Sequence, residues 1–272
     1  MPELPEVETI RRGLSEVIIN KRIIDFKRFD QKVVRFRPEQ IKGLKIDDVK
    51  RRAKILIFNL SGRHTLLIHL KLTGQLIWRQ ASEIQESNKF TRAIFYFDDH
   101  SSLIFNDMRR FGYLKLYDQK IIDNLPELSK LGPEPFSKDF NLDYLLNKSK
   151  QFSKRKIKQF IMDQEIISGV GNIYADEALF DAKILPTRLA SGLKLPEWNQ
   201  LQQSIIKVLN LGLHYGGSSN DSYVNAFGQK GEMDQHVAVY RRTGKPCVKC
   251  GGKIKRISLG GRGTHFCPVC QH

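Results

Sequence analysis

Hydrophobic positions recur with two different periods along the chain. The first segment, ELPEVETIRRGLSEVI, has helical spacing at its apolar positions Leu4, Val7, Leu14, Val17 and Ile18. Between residues 21 and 117 the apolar runs are short, and the turn sequences SGR, LTG and DDH separate them. Examples of these runs are KILIFNL, HTLLIHLKL, AIFYFDD and SLIFNDM. This half therefore predicts a β-sandwich or a β-barrel with one helix at its start.

The pattern changes after LGPEPF at 131–136, a stretch rich in Pro and Gly that predicts a domain boundary or hinge. Helical periodicity then predicts helices over 154–164, over NIYADEALFDAKI and over LPEWNQLQQSIIKVLNLGLHYGG. The polar segment GGSSNDSYVNAFGQKGEM predicts a mobile loop after the last helix. The chain is therefore expected to be α+β, with a β-rich first part and a helical second part.

Basic residues outnumber acidic residues by 45 to 29, and the net charge of +16 attracts polyanions. Residues 148–158 include six basic residues and no acid, and the chain after Asp234 includes eight basic residues and no acid. Nucleic acid is the favoured partner, because two patches of one sign repel unless a polyanion neutralises them. A solvated basic surface and an anionic membrane surface are the alternatives. No apolar run reaches the roughly 18 residues of a membrane helix and no signal peptide is apparent, so a cytoplasmic protein is expected.

The four cysteines lie near the C-terminus in two pairs, Cys247-x2-Cys250 and Cys267-x2-Cys270. Each pair places two thiolates on one side of a tight turn, and together they predict a closed tetrahedral site for one structural zinc ion. Two disulfides in a secreted protein are the alternative. His265 and His272 are expected to be bystanders, because four thiolates already fill the site.

Two turns include candidate phosphate contacts. The residues between the cysteine pairs predict a hairpin with Arg262 at its tip, where an arginine suits a DNA groove or a phosphate; an exposed solubilising arginine is the alternative. SGVGNIYADE follows a helical pattern and lacks the third glycine of a nucleotide loop, so it predicts a junction between two helices. Asn172 begins the second helix, where it either helps to bind a phosphate that Lys158 also reaches or is only a helix cap.

The opening MPELPEVET raises the question of why Pro follows the initiator Met, with a carboxylate beside it. Removal of Met1 would make Pro2 a secondary amine at the chain terminus. An α-amino group has a pKa of roughly 7.7–8.0, so part of it is unprotonated near neutral pH and can attack a sugar carbon. Glu3 would then be a carboxyl group beside the reacting centre. A merely processed N-terminus is the alternative.

Several motifs, taken in order, resemble one family. PELPEVE, GVGNIYADE and a C-x2-C pair followed by GRGTHFCPVC, with RRAK, DMRRFG and LGPEP in the expected order, resemble formamidopyrimidine-DNA glycosylase, the bacterial 8-oxoguanine DNA glycosylase and AP lyase. The resemblance implies three domains, with DNA in the basic cleft between the first two. These are a β-sandwich-like catalytic domain with flanking helices over 1–131, a helical helix–two-turn–helix domain over 132–241 with a lid loop at 218–233, and a four-cysteine zinc finger over 242–272.

The resemblance also implies roles for residues near the N-terminus. Pro2 would attack C1′ of the damaged nucleoside and displace the oxidised base, and β- and δ-elimination would then cut the strand on both sides. Glu3 would act as a general acid and base at the sugar ring oxygen, and Glu6 would support the site. Lys54, in RRAK, matches the catalytic-site lysine of the family; by itself it indicates only a lysine at a strand edge.

Other residues match DNA-binding positions of the family, namely the phosphate contacts Lys158, Asn172 and Arg262. Two residues in DMRRFG, Arg109 and Phe111, match side chains that fill the space left by the flipped base. Phe111 is equally compatible with core packing in a strand.

Three positions depart from the family pattern. Leu72 stands at the third space-filling position, where Met is common, so insertion is expected to persist with altered efficiency. Asp221 stands in the lid where a basic residue is common, so the resemblance implies no base specificity at this position. Gln159 replaces a Pro after the phosphate-contacting lysine, with little expected effect.

Three other functions are compatible with parts of the sequence. An endonuclease VIII-like glycosylase for oxidised pyrimidines shares the Pro–Glu start and the zinc finger, but PELPEVE and the Arg109–Phe111 pair favour purines. A non-catalytic zinc-finger DNA-binding protein is disfavoured by Pro2, Glu3 and Lys54, and an RNA-binding zinc-ribbon protein is the weakest alternative. The predicted function is base-excision repair of double-stranded DNA that contains oxidised purines or abasic sites, by a monomer with no membrane partner.

Overall fold

The chain folds into two compact units. A computed structural model describes residues 1–83, 87–219 and 222–272. The first unit gathers Met1–Ser129 and Gly212–Asp234, and the second gathers Lys130–Leu211 and Gln235–His272. Residues 218–233, expected in the helical domain, therefore cluster with the first unit by contact. The predicted domain bounds remain a prediction.

Helix α1 spans Leu4–Val17, and this helix was predicted from its hydrophobic period. Glu3 and Glu6 form a capping box, in which each side chain accepts a hydrogen bond from the backbone N–H of the other residue. Pro5 lies in the first turn, where its missing N–H has no helical partner. The apolar face of α1 is fully buried at Leu4, Val7, Ile10 and Leu14. Burial of such side chains, worth roughly 1.5–3 kcal/mol each, fixes the N-terminal residues against the core of the first unit.

Two four-stranded antiparallel sheets form within the described residues of the first unit. Their strands are β1 Ile23–Arg28, β2 Ile46–Arg52, β3 Ile55–Leu60, β4 His64–His69, β5 Gly74–Arg79, β6 Thr91–Phe97, β7 Ser102–Asp107 and β8 Tyr113–Asp118. One sheet has the order β1-β6-β7-β5, and the other has the order β2-β3-β4-β8. The four apolar runs quoted above as strands are confirmed as β3, β4, β6 and β7.

One hydrophobic core joins α1 to both sheets. Its buried aromatic side chains include Phe26, Phe58, Phe95, Phe97 and Phe105. The ring centroids of Phe26 and Phe95 are 4.7 Å apart, which is close aromatic packing. Two sheets around one core form a β-sandwich, which is one of the two alternatives that the short apolar runs predict. A single turn of helix, α2 at Pro126–Ser129, lies between β8 and the helices of the second unit.

Four longer helices follow, α3 Leu142–Gln151, α4 Ile157–Met162, α5 Asn172–Asp181 and α6 Leu195–His214. The prediction of a helix over 154–164 is too long, because Lys156 is extended and the Asp163 side chain accepts the Glu165 N–H at 2.9 Å, which forms a turn. The strands β9 Lys255–Leu259 and β10 Arg262–Phe266 form the expected antiparallel hairpin. No helix within the described ranges has the length and apolar character of a membrane span.

Candidate functional site

The start of α1 places a proline and two carboxylates together. Pro2 is buried, and Glu3 and Glu6 are only 3% and 1% exposed. The two oxygens of Glu6 accept backbone N–H groups, one from Glu3 at 2.7 Å and one from Ser218 at 2.8 Å. Glu6 is therefore held in one orientation, as a supporting role requires, and Glu3 is the carboxyl group that directly adjoins Pro2.

The segment after α6 approaches Glu6 closely because of two glycines. Gly217 has a left-handed φ of +87°, and a Cβ at this position would lie 2.9 Å from Glu6 Cγ. A Cβ at Gly231 would lie 2.2 Å from the carbonyl oxygen of Gly217. Only glycine has both the conformational freedom and the small size that this approach requires. The backbone N–H that binds Glu6 is positioned by this turn.

The described part of the predicted lid contributes to the core of the first unit. Tyr223 and Ala226 are buried in that core, and the Tyr223 hydroxyl donates to the Gly216 carbonyl at 3.0 Å. Burial, together with the nearby Glu6 carboxylate, raises the pKa of Tyr223, so its hydroxyl remains a donor at neutral pH. Asp221, singled out as a departure from the family pattern, lies outside the described residues.

Lys54 occupies the two-residue turn between β2 and β3 and is 5% exposed. The register of β3 and β4 pairs the next residue, Ile55, with His69. Burial, and then the charges of Lys71 and Lys54, lower the pKa of His69 to about 3. The Nδ1 atom of His69 accepts the backbone N–H of Lys71 at 3.0 Å, so the neutral ring has its proton on Nε2. His69 was missed because only strand register reveals its proximity to Lys54.

Asp107 shapes the turn that presents Arg109 and Phe111. This buried carboxylate accepts the backbone N–H of Arg109 at 3.2 Å, the N–H of Gly112 at 2.7 Å and the hydroxyl of Thr73. Phe111 is 54% exposed, and its ring centroid lies 5.9 Å from the Arg109 guanidinium carbon. The interpretation of Phe111 as a core side chain is therefore wrong.

A cavity of about 500 Å³ brings together residues that are distant in the sequence. It is lined by Met1, Leu72, Thr73, Met108, Arg109 and Ser222. Its lining combines long apolar side chains with one guanidinium and two hydroxyls, and its volume is typical of a small-molecule site. The first residue of the chain, the apolar wedge candidate Leu72 and the cationic candidate Arg109 therefore face one space.

In the second unit, three predicted phosphate contacts meet at one end of β10. We call Lys158, Asn172 and Arg262 the phosphate clamp. The Asn172 amide donates to the Gly263 carbonyl at 3.1 Å, and Lys158 Nζ donates to the same carbonyl at 3.2 Å. The cap of α5 is Gly171, so the interpretation of Asn172 as only a cap is wrong. Exposed Arg262 precedes Gly263 and lines a cavity of about 450 Å³ together with Lys158.

The four cysteine sulfur atoms form one cluster, in which they all lie within 4.8 Å of one another. The Sγ atoms of Cys247 and Cys270 are 3.8 Å apart, and those of Cys250 and Cys267 are 3.5 Å apart. A disulfide requires about 2.0 Å, so the disulfide alternative is wrong. Tetrahedral zinc with Zn–S bonds of about 2.3 Å separates its sulfur ligands by roughly 3.8 Å. The cluster therefore fits one structural zinc ion.

Backbone N–H groups also surround the sulfur atoms. The N–H of Lys249 lies 3.4 Å from Cys247 Sγ, and the N–H of Cys270 lies 3.4 Å from Cys267 Sγ. Such bonds stabilise thiolates around a metal. His265 is not directed at the cluster, because its ring Nδ1 lies 3.0 Å from an Asp176 carboxylate oxygen.

Helix α5 also buries two acids that no sequence pattern indicated. Asp176 and Glu177 are 1% and 4% exposed. Burial raises the pKa of Glu177, and its oxygens accept the backbone N–H groups of Ala238, Val239 and Tyr240 at 2.7 to 2.9 Å. Both acids belong to the quoted YADE motif, but hydrophobic periodicity predicts burial only for apolar residues, so it gives no indication that these two are buried.

Three family models match successive parts of the chain. The formamidopyrimidine-DNA glycosylase N-terminal domain matches residues 1–114, and the H2TH domain of the same family matches residues 131–223. A zinc finger found in FPG and IleRS matches residues 244–272. The chain belongs to the formamidopyrimidine-DNA glycosylase family. The resemblance inferred from the sequence motifs is thereby confirmed.

Other formamidopyrimidine-DNA glycosylases match over their whole length. The protein named so in Streptococcus mutans serotype c is 39% identical, with 100% of this chain and 99% of that protein covered. A Lactococcus lactis FPG mutant in complex with Fapy-dG containing DNA is 35% identical, with a TM-score of 0.92 and 100% of both chains covered. Lactococcus lactis Fpg in complex with abasic site containing DNA is 35% identical, with a TM-score of 0.91 and 99% of both chains covered. The predicted fold class is confirmed by these likenesses.

Proposed function

We propose that this protein is a bifunctional DNA glycosylase and AP lyase that removes oxidised purines from double-stranded DNA. The observation that carries the proposal is the buried pair Glu3 and Glu6 beside Pro2, at the start of α1. Membership of the family supports it, since relatives bear the glycosylase name and have been solved with Fapy-dG or abasic DNA. Base-excision repair is therefore the process in which the protein acts.

The proposed chemistry begins once Met1 is removed and Pro2 becomes a terminal secondary amine. The amine attacks C1′ of the damaged nucleotide, and the electron pair of the glycosidic bond leaves with the base, which takes up a proton. Glu3 protonates the sugar ring oxygen as the ring opens, and an iminium forms between Pro2 and C1′. Loss of a C2′ proton then expels the 3′ phosphate, and a second elimination expels the 5′ phosphate.

Two other residues support this chemistry without reacting. Glu6 has both oxygens occupied by backbone N–H groups, so it holds the start of α1 and the Ser218 turn in place. Lys54 provides a positive charge that attracts the phosphate of the damaged nucleotide, at a position that is only 5% exposed. The turn between β2 and β3 therefore holds the Lys54 ammonium group in a fixed position.

A base reaches such a site only after leaving the duplex stack, at a cost of a few kcal/mol. We propose that Arg109, Phe111 and Leu72 fill the space it leaves, with the guanidinium hydrogen-bonding the orphaned base and the apolar side chains stacking. Phe111 is exposed and available for this role. The phosphate clamp would bind the backbone of the damaged strand mainly through the exposed Arg262, because the three N–H donors of the Lys158 ammonium already have protein partners.

One zinc ion, bound by the four cysteines, would hold the hairpin that includes Arg262 and would take no part in the reaction. Because the substrate is chromosomal DNA, we propose that the protein acts in the bacterial cytoplasm. We also propose that it acts as a monomer, which sedimentation equilibrium of the zinc-loaded chain would test.

Borohydride trapping tests the reaction. Duplex DNA with 8-oxoguanine opposite cytosine is incubated with protein whose mass shows that Met1 is absent, and the reduced adduct is located by peptide sequencing. The expected result is an adduct on Pro2 in the wild type and in the control Pro5→Ala, and a much smaller yield of adduct in Pro2→Gly, where the terminal amine is primary rather than secondary. An adduct only with oxidised pyrimidines would indicate an endonuclease VIII-like enzyme. No adduct with either substrate would indicate a non-catalytic DNA-binding protein.

A further inference from the structure

Helix α5 buries a carboxylate that the proposed chemistry does not use. Asp176 is 1% exposed, and a buried carboxylate is unfavourable unless charges and hydrogen bonds compensate it. One of its oxygens lies 2.7 Å from Lys158 Nζ. The other accepts the backbone N–H of His265 at 2.9 Å and lies 3.0 Å from the ring Nδ1 of the same residue. Asp176 therefore connects α5 to α4 and to β10.

Lys158 extends this connection to the two preceding residues of β10. It is 1% exposed, and its ammonium group donates to Thr264 Oγ1 at 2.9 Å and to the Gly263 carbonyl at 3.2 Å. Three successive residues of β10 are thereby fixed, Gly263 and Thr264 through Lys158 and His265 directly through Asp176. Arg262 is the next residue toward the tip, so its backbone position follows from these contacts.

Zinc alone does not account for the position of Arg262. The metal ligand nearest to it in the sequence is Cys267, which follows the opposite end of β10. A two-stranded hairpin without further support is marginally stable in water. The network of Asp176 and Lys158 binds the middle of β10, between the zinc site and the tip.

We propose that Asp176 is a positioning residue of the phosphate clamp: it orients Lys158 and fixes β10 so that Arg262 meets the DNA backbone. The inference rests on the proposed DNA-binding function. Charge alone predicts the opposite effect of removing Asp176, because a carboxylate near a phosphate-binding surface repels DNA. Loss of that charge would strengthen binding if Asp176 had no positioning role, whereas loss of positioning weakens it.

The test compares Asp176→Asn with a matched control, Asp181→Asn. Asp181 lies on the same helix and loses the same charge, but it binds Ser204 at 2.7 Å and Lys207 at 2.7 Å rather than the hairpin. The full zinc-loaded chain is titrated into a labelled duplex with a stable abasic-site analogue, at several salt concentrations, and zinc content is measured in parallel.

Asp176→Asn is expected to raise Kd on the order of tenfold and to reduce the slope of log K against log salt by about one, as for the loss of one phosphate contact. Asp181→Asn is expected to keep the wild-type slope and to bind equally or more tightly. Wild-type or tighter binding by Asp176→Asn, with full zinc content, would overturn the inference.

A second variant decides the case in which Asp176→Asn loses zinc. Asp176→Glu keeps the charge but displaces the carboxylate by one methylene. Weaker DNA binding by this variant, with full zinc content, would support a positioning role for Asp176. Wild-type affinity and a wild-type salt slope would overturn that role. Borohydride trapping of the wild type tests the proposed function separately. A wild type that binds the duplex without forming an adduct would refute the catalysis, and the comparison of the Asp176 variants would still decide this inference.

Discussion

Gly217→Ala tests whether the close approach of the turn at Gly217 holds Glu6 in place. Gly217 has φ +87°, and an added Cβ would lie 2.9 Å from both Glu6 Cγ and Glu6 Oε1. A matched control is Gly43→Ala, since Gly43 has φ +81° but no atom within 4 Å of an added Cβ. The two variants therefore share the backbone strain and differ in the contacts with Glu6 and, at 3.0 Å, with Tyr223 Cε1.

The expected magnitudes follow from these two geometries. Left-handed backbone costs an alanine about 1–2 kcal/mol, which is the whole effect expected for Gly43→Ala. Overpacking against Glu6 adds roughly 1–3 kcal/mol for Gly217→Ala. For a unit of this size, that difference lowers the midpoint of thermal unfolding by roughly 2–12 °C relative to the control.

Activity distinguishes displacement of Glu6 from a loss of stability. Single-turnover excision of 8-oxoguanine, measured well below both unfolding midpoints, is expected to slow about 100-fold in Gly217→Ala, as for a displacement of about 1 Å at a reacting site. Gly43→Ala is expected to retain the wild-type rate. Equal midpoints and equal rates for the two variants would refute the argument that the Gly217 turn positions Glu6.

Three further predictions concern charge and metal. Burial opposes the charged form of Glu8, but hydrogen bonds from Arg11, Arg51 and Arg12 outweigh it and lower the pKa of Glu8 from 4.5 to about 2. Glu8→Gln is therefore expected to lower the free energy of unfolding by roughly 2–3 kcal/mol above pH 5 and by progressively less as pH falls toward 2. Urea titrations that gave the same loss of stability at every pH would contradict this. Cys250→Ser should lose zinc, measured by a chelator assay, while far-UV circular dichroism of the β-sandwich persists; retained one-to-one zinc would contradict the cluster. Arg262→Ala should weaken DNA binding on all sequences and reduce the salt slope by about one, and an unchanged slope would exclude it from the phosphate clamp.

Local features of the sequence determined most elements of the fold. The periods of hydrophobic residues indicated α1, the strands β3, β4, β6 and β7, and the helices α5 and α6, because these patterns depend only on near neighbours. The spacing of the cysteines indicated the zinc site for the same reason, since each C-x2-C pair is a local turn. The helix predicted over 154–164, α4, ends at Asp163 because the Asp163 side chain binds a nearby N–H instead of continuing the helical pattern.

The identities of Pro2, Glu3 and Lys54 were recognisable as motif residues, but their arrangement was not. The cavity that Met1, Leu72 and Arg109 line exists only because α1, the end of β4 and the turn after β7 meet in one unit. The proximity of His69 to Lys54 likewise depends on the register of two strands. Such contacts join positions far apart in the chain, so no local pattern specifies them.

Burial of charge was the property that only the tertiary structure decided. The sequence marked Lys158 as a candidate phosphate contact in a basic segment and did not mark Asp176 at all. In the fold they are a buried pair 2.7 Å apart, attached to β10 of the zinc hairpin. A charged side chain can be buried only where distant elements of the fold provide its partners. Composition therefore predicts the excess of positive charge. Packing determines which charged side chains are exposed to bind DNA and which are buried and hold the exposed ones in position.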